Sequence, residues 1–150
     1  MDESTIVGDK LLTIPEATLY HFAVMISSVH MAWTRAVCGR LKSDYSYSIT
    51  IVYNNFPWPD ATNAQRATIE QLAQAVLNAR AQFSDSSLAD LYDPLTMPPA
   101  LLKAHQALDR AVMKSYGFSS RDMTEVQVVA ALMEMYQAMV QSKGESNCKA

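Results

Sequence analysis

Hydrophobic residues recur at steps of three and four between positions 19 and 37, the spacing of one buried face of an α-helix. The run follows Thr13 and Glu16, which can cap a helix start together, and it stops at Gly39. The pattern therefore predicts one long amphipathic helix. Its buried face is expected to contain Leu19, Phe22, Ala23, Ile26, His30, Trp33 and Val37.

A different pattern follows, in which aromatic and β-branched residues alternate with polar residues between Tyr45 and Tyr53. Such alternation is typical of a strand, and Pro57 and Pro59 would bring the strand to an end. Its partner is expected either in a short apolar segment within residues 1–12 or in a part of the protein that precedes this chain. Because an unpaired strand edge favours self-association, the pattern also leaves a homodimer open.

Beyond position 60 the helical spacing returns in segments that proline and glycine separate. Residues 143–150 are polar and are expected to form a flexible tail. The chain is therefore predicted to be mainly α, with a long N-terminal helix, a short β element and a small helical bundle. The predicted boundaries are a cap at Thr62 and Gln65 for a helix over about 63–83, a short helical turn from Ser87 to Pro94, a helix from Pro98 that Gly117 stops, and a last helix opened by Asp122 with Glu125.

The composition suits a folded, helix-rich chain, since hydrophobic residues make up 49% of the 150 positions and only four are glycine. The formal net charge of −3 argues against an autonomous nucleic-acid binder, which is usually basic. Two cysteines, Cys38 and Cys148, are too few for a disulfide framework and match no zinc spacing. Reduced thiols favour a cytoplasmic location, and the sequence contains no signal peptide or membrane-spanning run.

Few residues outside the strand region are candidates for chemistry. His21, His30 and His105 lie on predicted helices at spacings that suit no metal site, so packing or capping is the preferred interpretation. No serine lies in the context of a hydrolase nucleophile. Tyrosines and a tryptophan near the basic residues could stack on an extruded base, but their alternation is explained more simply by packing. That aromatic group consists of Tyr45, Tyr47, Tyr53 and Trp58.

Arg40, Lys42 and Asp44 occupy alternate positions just before the predicted strand. On an extended segment, alternate residues point to the same side. A lysine can donate to the major-groove acceptors of guanine, and a carboxylate can accept from the amino group of the paired cytosine. Lys42 and Asp44 could therefore read both halves of one G·C pair, although exposed polar residues on a strand are more often simply solvated.

Three blocks of the sequence resemble a known family. The block CGRLKSDYSYSITIVYNNFPWP (Cys38 to Pro59) resembles the end of the target-recognition domain in the MmeI-like group of DNA adenine methyltransferases, many of which are single-chain restriction-modification enzymes. The block LYDPLTMPPALLKAHQALDRAVMKSYGF (Leu91 to Phe118) resembles the helical C-terminal domain of that group, and MTEVQVVAALMEMYQ (Met123 to Gln137) its closing helix. The order of the blocks also agrees.

The resemblance implies a division into the C-terminal part of a target-recognition domain (1–59), a helical C-terminal domain (60–142) and the tail. It implies that Lys42 and Asp44 specify bases and that Arg40 contacts a phosphate or a base, with Ser43 and Tyr45 beside them. Duplex DNA, bound weakly by this chain alone, and the methyltransferase portion are the implied partners. S-adenosylmethionine is the implied methyl donor of the full-length enzyme, bound outside this chain.

The sequence lacks the Asn-Pro-Pro-Tyr-type catalytic motif and the Gly-containing cofactor loop that such methyltransferases need. Neither the segment 54–59 nor the segment 97–100 supplies the polar, Pro-Pro and aromatic order of that motif. We therefore expect a C-terminal fragment that recognises a DNA target and gives structural support to the enzyme. We expect it to have no catalytic, cofactor-binding or metal-binding residues of its own. The alternatives are a stand-alone helical protein-interaction module and a remnant gene product without function.

Overall fold

A computed structural model describes residues 13–41 and 44–147, with the side chains at 40, 41, 44 and 143–147 outside the description. The described chain is mainly helical, which confirms the predicted fold class. None of its helices is long and apolar enough to cross a membrane. The elements are α1 (Leu19–Met25), α2 (Ser28–Val37), β1 (Gly39–Leu41), β2 (Asp44–Ser46), one π-helical turn (Ile49–Tyr53), α3 (Asn63–Ala81), α4 (Leu88–Leu91), α5 (Pro99–Ser115) and α6 (Glu125–Asn147).

The predicted long N-terminal helix is two helices, so that prediction was wrong in one respect. Helix α1 is capped by Thr18, whose backbone N–H donates to His21 Nδ1 at 3.1 Å, and not by Thr13. The Ser27 hydroxyl donates to the carbonyl of Val24 at 2.7 Å and accepts from the N–H of His30 at 3.4 Å. A serine that bonds to the backbone in this way competes with helix continuation, so Ser27 ends α1 and begins α2.

The predicted strand from Tyr45 to Tyr53 is also wrong over most of its length. Only Asp44–Ser46 is a strand, and it pairs antiparallel with Gly39–Leu41, whereas residues 1–12 lie outside the described residues. The following segment closes into a π-helical turn, in which the N–H of Asn54 donates to the carbonyl of Ile49 at 2.8 Å. The alternation alone does not reveal this, because the turn is stabilised by hydrogen bonds from side chains outside it.

Two such partners satisfy the turn. Asn55 Nδ2 donates to the carbonyls of Thr50 and Ile51, both at 3.0 Å. The indole N–H of Trp33, on α2, donates to the carbonyl of Val52 at 3.0 Å in the protein interior. Backbone carbonyls that would otherwise need a neighbouring strand are therefore bonded to side chains.

The C-terminal helices agree with their predicted positions. Thr62 and Gln65 form the predicted capping box at α3, and Gly117 follows α5 with a left-handed φ of 75°. The start of α6 differs, because Thr124 and Gln127 form its cap, with Thr124 N donating to Gln127 Oε1 at 2.8 Å. Asp122 instead accepts from the Ser119 hydroxyl at 2.6 Å.

One core joins the residues on both sides of position 60. Helix α1 packs on α3, α2 on α6, and α3 on α5. The hydroxyl of Tyr116 donates to the carbonyl of Pro57 at 2.9 Å, and that of Tyr20 to the carbonyl of Pro59 at 3.4 Å. The connection at 57–60 is thus bonded to α1 through Tyr20 and to the end of α5 through Tyr116. The largest fully buried hydrophobic side chains are Trp33, Phe56, Ile69, Leu101, Leu108 and Leu132.

Candidate nucleic-acid interface

The residues expected to read bases fall on a short hairpin that begins one residue after α2. In its register Arg40 lies opposite Tyr45, and Leu41 lies opposite Asp44. The chain therefore reverses between Leu41 and Asp44, so the premise of one continuous extended segment through Arg40, Lys42 and Asp44 is wrong. Lys42 and Ser43 lie outside the described residues, as do the side chains of Arg40 and Asp44. A two-stranded ribbon is one of the shapes that the DNA major groove admits.

The exit of the hairpin is fixed to α2 through Tyr47. Its hydroxyl lies 3.0 Å from His30 Nε2 and 4.0 Å from Met25 Sδ. His30 is only 2% exposed, and its ring forms a T-shaped contact with the ring of Phe56 at a centroid distance of 4.5 Å. Burial lowers the pKa of His30 to about 4 and raises the pKa of Tyr47 to about 12. Both groups are therefore neutral near pH 7.

The tautomer of His30 follows from the partners that its ring has. Nδ1 is buried and has no hydrogen-bond partner among the described residues. An N–H at Nδ1 would be an unsatisfied buried donor, which costs more than an unused lone pair on a ring nitrogen. The proton is therefore assigned to Nε2, which donates to Tyr47, and the Tyr47 hydroxyl donates to Met25.

Exposed hydrophobic side chains surround the hairpin exit. Tyr45 is 39% exposed, Ile49 42% and Ile51 51%, and the two isoleucines lie on the π-helical turn. Tyr53 instead packs edge-to-face on Trp58, at a centroid distance of 5.9 Å. The structure thus confirms the packing interpretation for Tyr47, Tyr53 and Trp58.

A bidentate ion pair supports the last turn of α2. Arg35 donates to the two carboxylate oxygens of Glu125, from Nε at 2.7 Å and from Nη2 at 2.8 Å. These hydrogen bonds lower the pKa of the Glu125 carboxyl. The pair joins α2 to the first turn of α6. The helix that precedes the hairpin is therefore fixed to the C-terminal helix.

The other histidines make structural contacts. His21 caps α1 and meets Trp58 at a centroid distance of 5.5 Å. His105 Nε2 lies 2.6 Å from the hydroxyl of Tyr92, which also accepts from Arg80 Nε at 2.8 Å. Burial, as the larger cause, lowers the pKa of His105. No group of three metal-ligating side chains occurs in the part of the chain that the structure describes.

Sequence reasoning missed Arg110 and Arg121, which line one open cleft of about 530 Å³ beside α5. No motif marks them. One signal was available for Arg110, because no carboxylate lies three or four positions away on its helix to neutralise it.

Comparison with known proteins agrees with the resemblance. The family model "MmeI, target recognition domain" matches residues 1–60, and "MmeI, C-terminal domain" matches residues 61–142. DNA methyltransferase A of Bacillus subtilis (strain 168) is 35% identical over 137 residues, which are 91% of this chain. The Type IIL restriction-modification enzyme MmeI, solved in complex with DNA, is 48% identical with a TM-score of 0.81 over 85% of this chain. The chain spans 15% of the Bacillus protein and 17% of the MmeI chain.

Proposed function

Since the chain belongs to the MmeI family, as part of its target recognition domain followed by its C-terminal domain, we propose that it recognises a DNA target sequence and supports the recognition surface. The observation that carries the proposal is the hairpin Gly39–Ser46, which lies within the matched target recognition domain and is anchored to a packed helical core. A ribbon held in this way can present side chains to base edges in the major groove.

The proposed setting is a DNA adenine methyltransferase of the restriction-modification type. The chain would contribute binding and support, and the methyltransferase portion would be its protein partner. S-adenosylmethionine would bind to that portion, which would also transfer the methyl group. A protein that acts on cellular DNA would work in the cytoplasm, where Cys38 stays reduced.

Five residues that span the chain reversal are the proposed DNA contacts. Lys42 and Asp44 would read the guanine and the cytosine of one G·C pair, which is supported by the match to the target recognition domain and by the donor and acceptor groups of the two side chains, not by a shared strand face. Arg40 would contact a phosphate or a base. Ser43 and Tyr45 would contact DNA beside them, and the exposure of Tyr45 suits that role.

Binding of the protein to duplex DNA at increasing salt concentration tests the proposal. Phosphate contacts release counterions, so the affinity should fall steeply with salt, and a dissociation constant of about 10⁻⁴ to 10⁻⁶ M is expected near physiological salt. The R40A/K42A variant should bind more weakly and with a shallower salt dependence. Absence of duplex binding, or binding that salt leaves unchanged, would contradict the proposal and favour a protein-interaction module.

The oligomeric state is a separate part of the proposal. A homodimer is the proposed alternative to a monomer, because each strand of the two-stranded sheet β1–β2 keeps an outer edge and strand edges favour association. Sedimentation velocity at two protein concentrations, with and without duplex DNA, distinguishes a monomer from a dimer.

A further inference from the structure

Two arginines, Arg110 and Arg121, line one open cleft beside α5. Arg110 lies on α5, and Arg121 lies between α5 and α6. Hydroxyl and amide groups that can donate hydrogen bonds lie beside the two guanidinium groups. The polar lining residues are Ser28, Gln106, Asp109, Arg110, Ser120 and Arg121.

Neither guanidinium group is neutralised within the described part of the chain. Arg35 is paired with Glu125, and Arg80 donates to Tyr92, whereas Arg110 and Arg121 have no hydrogen bond, ion pair or ring contact among the described residues. The nearby Asp109 is already engaged, because its Oδ1 accepts from the backbone N–H of Ser28 at 2.7 Å. The positive end of α2 offsets the charge of that carboxylate.

The cleft lies beside Ser28, the first residue of α2, and the hairpin follows Val37, the last residue of that helix, after one intervening residue. Three adjoining cavities line the face of α2 that contains Ser28, Ala32 and Ala36. The arginine-lined cleft shares Ser28 and Met113 with a second cavity. That cavity shares Ala32 and Glu125 with a third, which extends to Ala36. The ten residues of α2 span about 15 Å at 1.5 Å per residue. A duplex that rises about 3.4 Å per base pair covers that length in four to five base pairs.

We propose that Arg110 and Arg121 form a second DNA contact, to the sugar-phosphate backbone, several base pairs from the bases that the hairpin reads. The inference rests on the proposed function and extends it from the target recognition domain to the C-terminal helices. Two unpaired guanidinium groups with neighbouring hydrogen-bond donors suit phosphate oxygens, which accept bidentate bonds. Such a contact fixes the register of the protein on the duplex and carries no sequence information.

The test is the salt dependence of duplex binding by the whole protein with the R110A/R121A substitutions. Loss of two phosphate contacts should make the slope of log K against log salt concentration shallower by about 2. Between 50 and 200 mM salt, the loss of affinity should consequently be about tenfold smaller than in the unsubstituted protein. The effect should be equal on duplexes of unrelated sequence.

The K103A/K114A variant is the matched control, because it removes two charges from α5 at positions that do not line the cleft. Its slope should stay close to that of the unsubstituted protein.

Thermal unfolding of R110A/R121A should be unchanged, since both side chains are exposed. An unchanged slope in R110A/R121A, with normal salt-dependent binding of the unsubstituted protein, overturns the second contact and leaves the proposed function intact. A loss of affinity that does not depend on salt would show that the two arginines do not contact phosphates, and it would also overturn the second contact. Absence of duplex binding by the unsubstituted protein refutes both proposals.

Discussion

His30 Nε2 and the hydroxyl of Tyr47 lie 3.0 Å apart, and this hydrogen bond closes the base of the hairpin onto α2. The first strand leaves α2 through Cys38, and the second strand returns to α2 through Tyr47, the residue after Ser46. The two ends of the ribbon are therefore held by the same helix.

Substitution of Tyr47 by phenylalanine should destabilise the protein by about 1–3 kcal/mol, because both ring nitrogens of the buried His30 would then lack a partner. Chemical denaturation at pH 7 measures this loss. Y53F is the matched control, since the Tyr53 hydroxyl has no hydrogen bond among the described residues. Equal effects of the two substitutions would show that the bond to His30 does not stabilise the fold.

The burial of His30 predicts acid-sensitive stability. Its pKa is about 4 in the folded protein, whereas an exposed histidine titrates near 6.5, so the unfolded chain binds this proton first as the pH falls. The associated stability is complete above about pH 6.5 and decreases as the pH falls towards 4. Between pH 7 and pH 4.5 the loss should be about 2 kcal/mol from this residue.

The H30Q variant separates this contribution from those of other groups. It should be less stable than the unsubstituted protein at pH 7, but its further loss between pH 7 and pH 4.5 should be smaller by about 2 kcal/mol. Urea denaturation at the two pH values gives the comparison. If both proteins lose the same stability on acidification, His30 does not titrate as its burial requires.

The helical part of the fold follows from local signals. The capping pair of Thr62 and Gln65 and the glycine at 117 act within a few residues, and the periodicity of the buried face lies within each helix. Sequence reasoning therefore located α3 and α5 well. It missed the break between α1 and α2, because a serine within a hydrophobic periodicity does not itself show whether its hydroxyl will bond to the backbone.

The candidate site depends on contacts between distant positions, and sequence reasoning located it less well. Trp33, which lies 19 positions from its acceptor at Val52, and Asn55, which lies just after the turn, donate side-chain hydrogen bonds that stabilise the π-helical turn. The alternation of residues 45–53 is equally compatible with a strand. The resemblance pointed to a site within residues 38–59, while only the backbone register revealed the chain reversal between Leu41 and Asp44.

The π-helical turn itself offers a prediction. N55A removes the donor shared by the carbonyls of Thr50 and Ile51 and should destabilise the protein by about 1–2 kcal/mol. N54A is a close control, because the Asn54 side chain is exposed and its backbone N–H, which closes the turn, is retained. Thermal unfolding of both variants checks the prediction, and a loss in N54A as large as that in N55A would contradict it.

The assignment of Lys42 and Asp44 makes the sharpest functional prediction. In the complete enzyme, the K42D/D44K exchange should change the base pair accepted at one position of the target. A good bidentate contact discriminates by about 1–3 kcal/mol, and a single lysine contact should give less. Sequencing of the methylated sites measures the outcome.

The R110A/R121A variant provides the contrast, because loss of phosphate contacts should lower methylation at all sites without altering the target sequence. A target sequence that the K42D/D44K exchange leaves unchanged would exclude these two residues as base readers. A uniform loss of methylation would instead identify them as backbone contacts. A change confined to one base pair would show that a hairpin closed by His30 and Tyr47 determines which sequence the enzyme accepts.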